Sequence, residues 1–141
     1  MNPDRIERDV LIDAPADRVW ATLVEFSWVD DGGRRGLTPR TGERFVAHNA
    51  QEGDYPIVIE KSEPPRYLAY RWASAFEGTE PAEGNSTLVE FTLAEEQGGT
   101  RLTVVESGFA TLPQQHRAQA LDENTGGWEA QLDALRKSVA A

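Results

Sequence analysis

Glu106 is the residue with the most chemical promise in this sequence. It follows Leu102 and Val104 at strand spacing in the run Thr100 to Ser107, and that phase turns its carboxyl toward the buried side. A carboxylate there is desolvated, which raises its pKa and costs energy unless donors meet it. So placed, it would orient a ligand or act as an acid or base. An outward twist at the strand end would leave it solvated instead. Tyr70 is a phenol that would work with it.

Other reactive residues do not combine. His48 and His116 are the only histidines. His48 is out of phase with Phe45 and so points outward, and His116 stands at the polar start of the last helix. With no histidine pair on one helical turn, no metal site is expected. Gly32-Gly-Arg-Arg-Gly36 offers arginines and free amides to an anion, yet it lacks the Gly-Lys-Ser/Thr ending of a phosphate loop and reads as a surface loop. No serine, histidine and aspartate form a triad. The chain has no cysteine, which excludes thiolate chemistry and disulfides. No cofactor is expected.

The elements that would position Glu106 are legible from periodicity. The last thirty residues, Pro113 to Ala141, place Leu121, Thr125, Trp128, Leu132, Leu135 and Val139 on one helical face, with Asp122, Glu123, Glu129, Asp133 and Lys137 opposite. Gly126 and Gly127 interrupt that stripe, each costing about 1 kcal/mol against alanine. They mark a close approach to the backbone, a ligand entrance, or a break between two helices. Upstream, Ile6 to Ile12 reads as a strand, with Ile6, Arg8, Val10 and Ile12 on one side. Asp13-Ala14-Pro15 starts a helix over about 15–25, and a second short helix or turn is expected near Phe26 to Val29.

Five further strands follow. They are expected at Glu43 to Asn49, Tyr55 to Lys61 and Tyr67 to Ala73, then around Thr87, Val89, Phe91 and Leu93, and finally at Thr100 to Ser107. Pro64-Pro65 and Gly98-Gly99 make turns between them. The pattern is an antiparallel sheet with one buried face, closed by a long amphipathic helix.

At 141 residues, 39% hydrophobic and 27% charged, the chain is expected to form one globular domain over 1–141. A net charge of -10 argues against nucleic acid as a partner. No apolar run reaches membrane-spanning length and the start is not signal-like, so a cytoplasmic protein with no membrane partner is the expectation.

Several stretches in order resemble the family of homologues of the activator of heat-shock protein 90 ATPase. They are Ile12-Asp-Ala-Pro-Ala-Asp-Arg-Val-Trp20, the run from Tyr55 through Pro64-Pro65 to Trp72, Gly99 to Phe109, and Gly127-Trp128 with Leu132 and Leu135. The likeness spans about Ile6 to Val139. It implies membership of the START-like, or SRPBCC (Bet v 1-like), superfamily and an α+β helix-grip fold. In that fold a curved sheet of about six strands grips a C-terminal helix, with a cavity between them. The family name also implies a chaperone partner and a role in stress response.

Three functions compete. The first is binding of a small apolar or aromatic molecule in that cavity, lined by Trp28, Phe45, Tyr70, Trp72, Phe91, Glu106, Thr125, Trp128 and Leu132. The second is a cyclase- or dehydratase-type enzyme using Glu106, and the third a partner that stimulates a chaperone ATPase.

Overall fold

Where β-branched and aromatic residues alternate with polar ones, the chain extends, and the computed structural model joins six such segments in one antiparallel sheet. It describes residues 5–27, 40–49, 53–73, 79–82 and 84–140, leaving aside the side chains of 24–27, 45–49, 53–54 and 140. In chain order the elements are β1 (Arg5–Ile12), α1 (Ala16–Ser27), β2 (Arg44–Asn49), β3 (Gly53–Glu63), β4 (Tyr67–Trp72), β5 (Thr87–Glu96) and β6 (Gly99–Ser107). A short 3-10 turn over Phe109–Thr111 then leads into α2 (Gln114–Ala140).

The strand order is β1-β6-β5-β4-β3-β2. β2 to β6 thus run as a meander, and β1 closes on β6 from the far end of the sequence. The expected order is one strand, two helices, five strands and a long helix, and among the described residues a single helix, α1, stands between β1 and β2. The described part of the second short helix expected near Phe26 to Val29 is the last turn of α1, and 28–39 lie outside the described residues.

One face of the sheet is the core. Ile57 and Ile59 on β3, Leu68 and Tyr70 on β4, Val89, Phe91 and Leu93 on β5, and Leu102 and Val104 on β6 are all buried. Their spacing of two puts them on the same side. Helix α1 contributes Val19, Trp20 and Leu23, while α2 contributes Ala120, Trp128, Leu132, Leu135 and Val139. On β1, Ile6 and Ile12 are buried as expected, but Arg8 in the same phase is exposed and lies 3.9 Å from Glu129 of α2. Helix α2 packs across β1 and against α1. Arg18 on α1 ties the two helices together by donating from Nη2 to the Val139 carbonyl at 2.7 Å, one of the orphan acceptors at a helix end.

Gly126 and Gly127 do not break α2, which is continuous through both. Both are exposed, and a Cβ on either would meet nothing within 4 Å among the described residues. The expected helix break is therefore absent, and no described residue approaches either glycine closely. They cost helix propensity without a described packing return.

Gly99 is different. The hairpin turn between β5 and β6 has Gln97 at φ 52° and Gly98 at φ 81°, and positive φ at both central residues matches the twist of the flanking strands. Gly99 then runs beside the end of β1, where a Cβ would collide with the carbonyl oxygen of Ile12. Next to it, Thr100 donates from Oγ1 to the Ala14 carbonyl at 2.7 Å. The entry to α1 is thus held against the start of β6.

Two outcomes follow for stability, both measured by urea unfolding. Gly99→Ala is expected to cost about 1–3 kcal/mol, because backbone must shift to admit the methyl. Gly126→Ala and Gly127→Ala are each expected to raise stability, by up to about 1 kcal/mol.

Candidate functional site

Strand alternation carries Glu106 inward from the end of β6, where it pairs across the sheet with Val89 on β5 and Ile6 on β1. Its relative exposure is 0%, so the solvated alternative does not hold. The carboxylate is met from three sides. Trp72 on β4 donates from Nε1 to Oε2 at 2.9 Å, and Thr87 at the start of β5 donates from Oγ1 to the same oxygen at 2.5 Å. From α2, Trp128 donates from Nε1 to Oε1 at 2.8 Å, and Asn124 Nδ2 lies 3.0 Å from Oε1 and 3.1 Å from Oε2.

Sequence spacing explains why these four meet. Trp72 and Thr87 are direct cross-strand partners on the core face, and Thr87 is diagonal to Glu106 through the Val89 pairing. Asn124 and Trp128 are four apart on α2 and so share a face. A carboxylate has roughly four lone-pair sites, and these donors occupy them. Burial pushes the Glu106 carboxyl up from its ordinary value, while the hydrogen bonds from Thr87, Trp128, Trp72 and Asn124 pull it back. As acid or base, Glu106 would first have to release one of its donors.

Aromatic rings wall this carboxylate. Trp128 packs edge-on to Phe91 with centroids 5.6 Å apart and lies 6.1 Å from Trp72. Tyr70 meets Trp72 edge-on at 5.9 Å and Phe91 at 6.2 Å. Tyr55 at the outer end of β3 reaches Trp72 at 5.7 Å. Phe91, Tyr70 and Trp128 are buried, whereas Trp72 and Tyr55 are half-buried. Burial holds the Tyr70 phenol well above its usual range, with the charge of Glu106 adding to the effect, so Tyr70 stays neutral.

The structure therefore brings together Glu106, Tyr70, Trp72, Phe91 and Trp128 from the expected set. Leu132 is buried in the core one turn beyond Trp128, and Thr125 is half-buried with its hydroxyl bonded back to the Leu121 carbonyl at 2.6 Å. Neither donates to Glu106. Phe45 lies on β2 with its side chain outside the described residues, as does that of His48, and Trp28 and Gly32 to Gly36 lie outside them altogether. Among the described residues no group of histidine or acidic side chains could hold a metal ion.

Thr87, Asn124 and Tyr55 were not among the expected site residues. Asn124 carried one usable signal, its position four before Trp128. A separate depression of about 290 Å³ lined by Glu63, Pro64 and Arg66 lies at the opposite end of β4 from Trp72.

The model of the family described as Activator of Hsp90 ATPase homolog 1-like protein matches residues 13–140. The chain belongs to this family. No curated protein sequence matches it. Among solved structures it is similar to DynU16, a protein in the dynemicin biosynthetic locus, at 23% identity and TM-score 0.74 over 98% of this chain and 48% of that one. This chain thus spans about half the length of DynU16. CalU16 from Micromonospora echinospora is 28% identical, with TM-score 0.67 over 96% of this chain and 75% of that one. The Aha1 dimer from Colwellia psychrerythraea is 15% identical, with TM-score 0.69 over 96% and 95%. With these neighbours, the family member has the helix-grip fold of the START-like, Bet v 1-like superfamily. No described helix is long and apolar enough to cross a membrane.

Two measurements probe Glu106. Glu106→Ala is expected to lower stability by about 3–5 kcal/mol, because it leaves buried donors unmet and opens a cavity. The pH effect has a definite sign. A carboxyl raised in the folded state keeps its proton at pH values where the unfolded chain has lost it, so stability falls as pH rises above the ordinary value of 4.5. Glu106→Gln removes this linkage and leaves the lowered carboxyls of Glu80, Glu96 and Asp133 in place. The stability of the native chain minus that of Glu106→Gln should therefore decline with rising pH, then level off.

Proposed function

We propose that this protein binds a small hydrophobic or aromatic molecule between the sheet and α2, against the aromatic wall that ends at Trp72 and Tyr55. The observation that carries the reading is the double environment of Trp72. Its N–H is committed to the fully buried Glu106, while the residue is half-buried beside Tyr55. A tryptophan fixed by its N–H and only half-buried offers a rigid stacking surface, and little entropy is lost when a flat molecule settles on it.

Deeper in, Trp128 packs on Phe91 and Trp72 and hydrogen-bonds Glu106. The ligand is accordingly assigned to the half-buried Trp72 and Tyr55 rather than to the space beneath Trp128. Glu106 serves this reading as the anchor that aims two indoles. The cyclase- or dehydratase-type reading would need the carboxylate open to substrate, and its lone pairs are taken.

Tryptophan emission tests the proposal. Flat apolar probes are expected to quench or shift it saturably, and Trp72→Ala should weaken their binding at least tenfold, on the order of the loss when an aromatic anchor is removed. Native mass spectrometry should show the matching adduct. No saturable change and no adduct, across probes of varied shape, would defeat the reading.

A further inference from the structure

N–H groups of Trp72, Trp128 and Asn124 donate to both oxygens of Glu106, an arrangement that favours the ionised carboxylate, and no counter-ion stands beside it among the described residues. Each of its hydrogen bonds comes from a neutral donor, and no arginine, lysine or histidine among the described residues pairs with it. Dipolar donors satisfy lone pairs but leave the net charge in place. Its field extends through a low-dielectric surround to the rings nearby.

Those rings have the same preference. The faces of Trp72, Trp128, Phe91, Tyr70 and Tyr55 carry the negative part of the aromatic quadrupole, and tryptophan is the best of the three ring types for holding a cation. Two of the indoles also donate to the carboxylate through Nε1. That hydrogen bond polarises the ring toward its face and strengthens its attraction for a positive charge.

Resting on the ligand-binding reading above, we infer that the ligand carries an ammonium group, seated on the accessible part of Trp72, with Glu106 as its buried counter-charge. The ligand class is an amine with an apolar or aromatic body. The desolvation of the anion is already part of the folded state, and Trp72 is half-buried, so the cation need not shed all its water. No donor has to leave Glu106, because the attraction acts across the indole.

Three probes of similar shape test this: naphthylmethylammonium, naphthylmethanol and naphthoate, each titrated calorimetrically into the intact protein. The ammonium is expected to bind about tenfold more tightly than the alcohol, the range of a partly desolvated cation–aromatic contact, and naphthoate most weakly. The net charge of -10 attracts any cation loosely, so the titrations are repeated at high salt. A site-specific preference persists there, and a purely surface one disappears. Glu106→Gln should collapse the ammonium-to-alcohol ratio.

Should that variant not fold, NMR of the native protein decides. Cross-peaks are expected from the probe methylene to the Trp72 ring protons, and cross-peaks only to other residues would overturn the assignment. An alcohol that binds as tightly as the ammonium at high salt would sink the inference and leave ligand binding standing. Failure of all three probes would count against both.

Discussion

A carboxylate with no exposed surface survives in a folded protein only when its neighbours replace the water it has lost. Glu106 meets that condition through Trp72, Thr87, Asn124 and Trp128, drawn from two strands and the C-terminal helix. The arrangement constrains the fold in return. Removing any one donor weakens the solvation of a buried charge, so β4, β5, β6 and α2 are held to one mutual geometry. Apolar packing alone is less particular, since a stripe of leucines tolerates small slides along a sheet. Here the grip of sheet on helix has a polar lock inside an apolar seam.

The same lock shapes the chemistry. Acceptor sites filled by protein donors make Glu106 a poor base and a good positioning group. It fixes two indoles by their N–H groups and leaves their faces to neighbours or to a ligand. The chain shares its fold with its family and structural neighbours, and a shared fold does not by itself name a function. In this chain the rings stand against Glu106, which has no counter-ion among the described residues. An apolar wall would accept any flat molecule, whereas a wall with an anion at its back discriminates by charge.

Much of the architecture was legible before any coordinates. Period-two alternation separated core from surface along β3 to β6, since each side chain's face follows from its parity alone. The inward phases of Glu106, Tyr70, Trp72 and Phe91 follow the same way, while helical spacing puts Trp128 on the apolar stripe of α2. Asn124 shares the face of Trp128, but its role was not legible because spacing does not name the partner a polar side chain meets. The helix break that Gly126 and Gly127 suggest is absent for a related reason. Low helix propensity in the middle of a stripe suggests a purpose, but α2 draws enough stability from Trp128, Leu132, Leu135 and Val139 to carry both glycines without breaking.

By itself the sequence determined the elements, their order and which face of each is buried, because these depend on local spacing and on the aversion of apolar side chains to water. Only the tertiary structure decided that Glu106 is fully enclosed, which donors enclose it, and that Trp72, itself only half-buried, is one of them. Those facts depend on strand register and on how α2 lies across the sheet, distances set by side chains many residues apart. Hydrogen bonds demand fixed distances and directions. Periodicity names the face a residue points to, but not the partner it meets there.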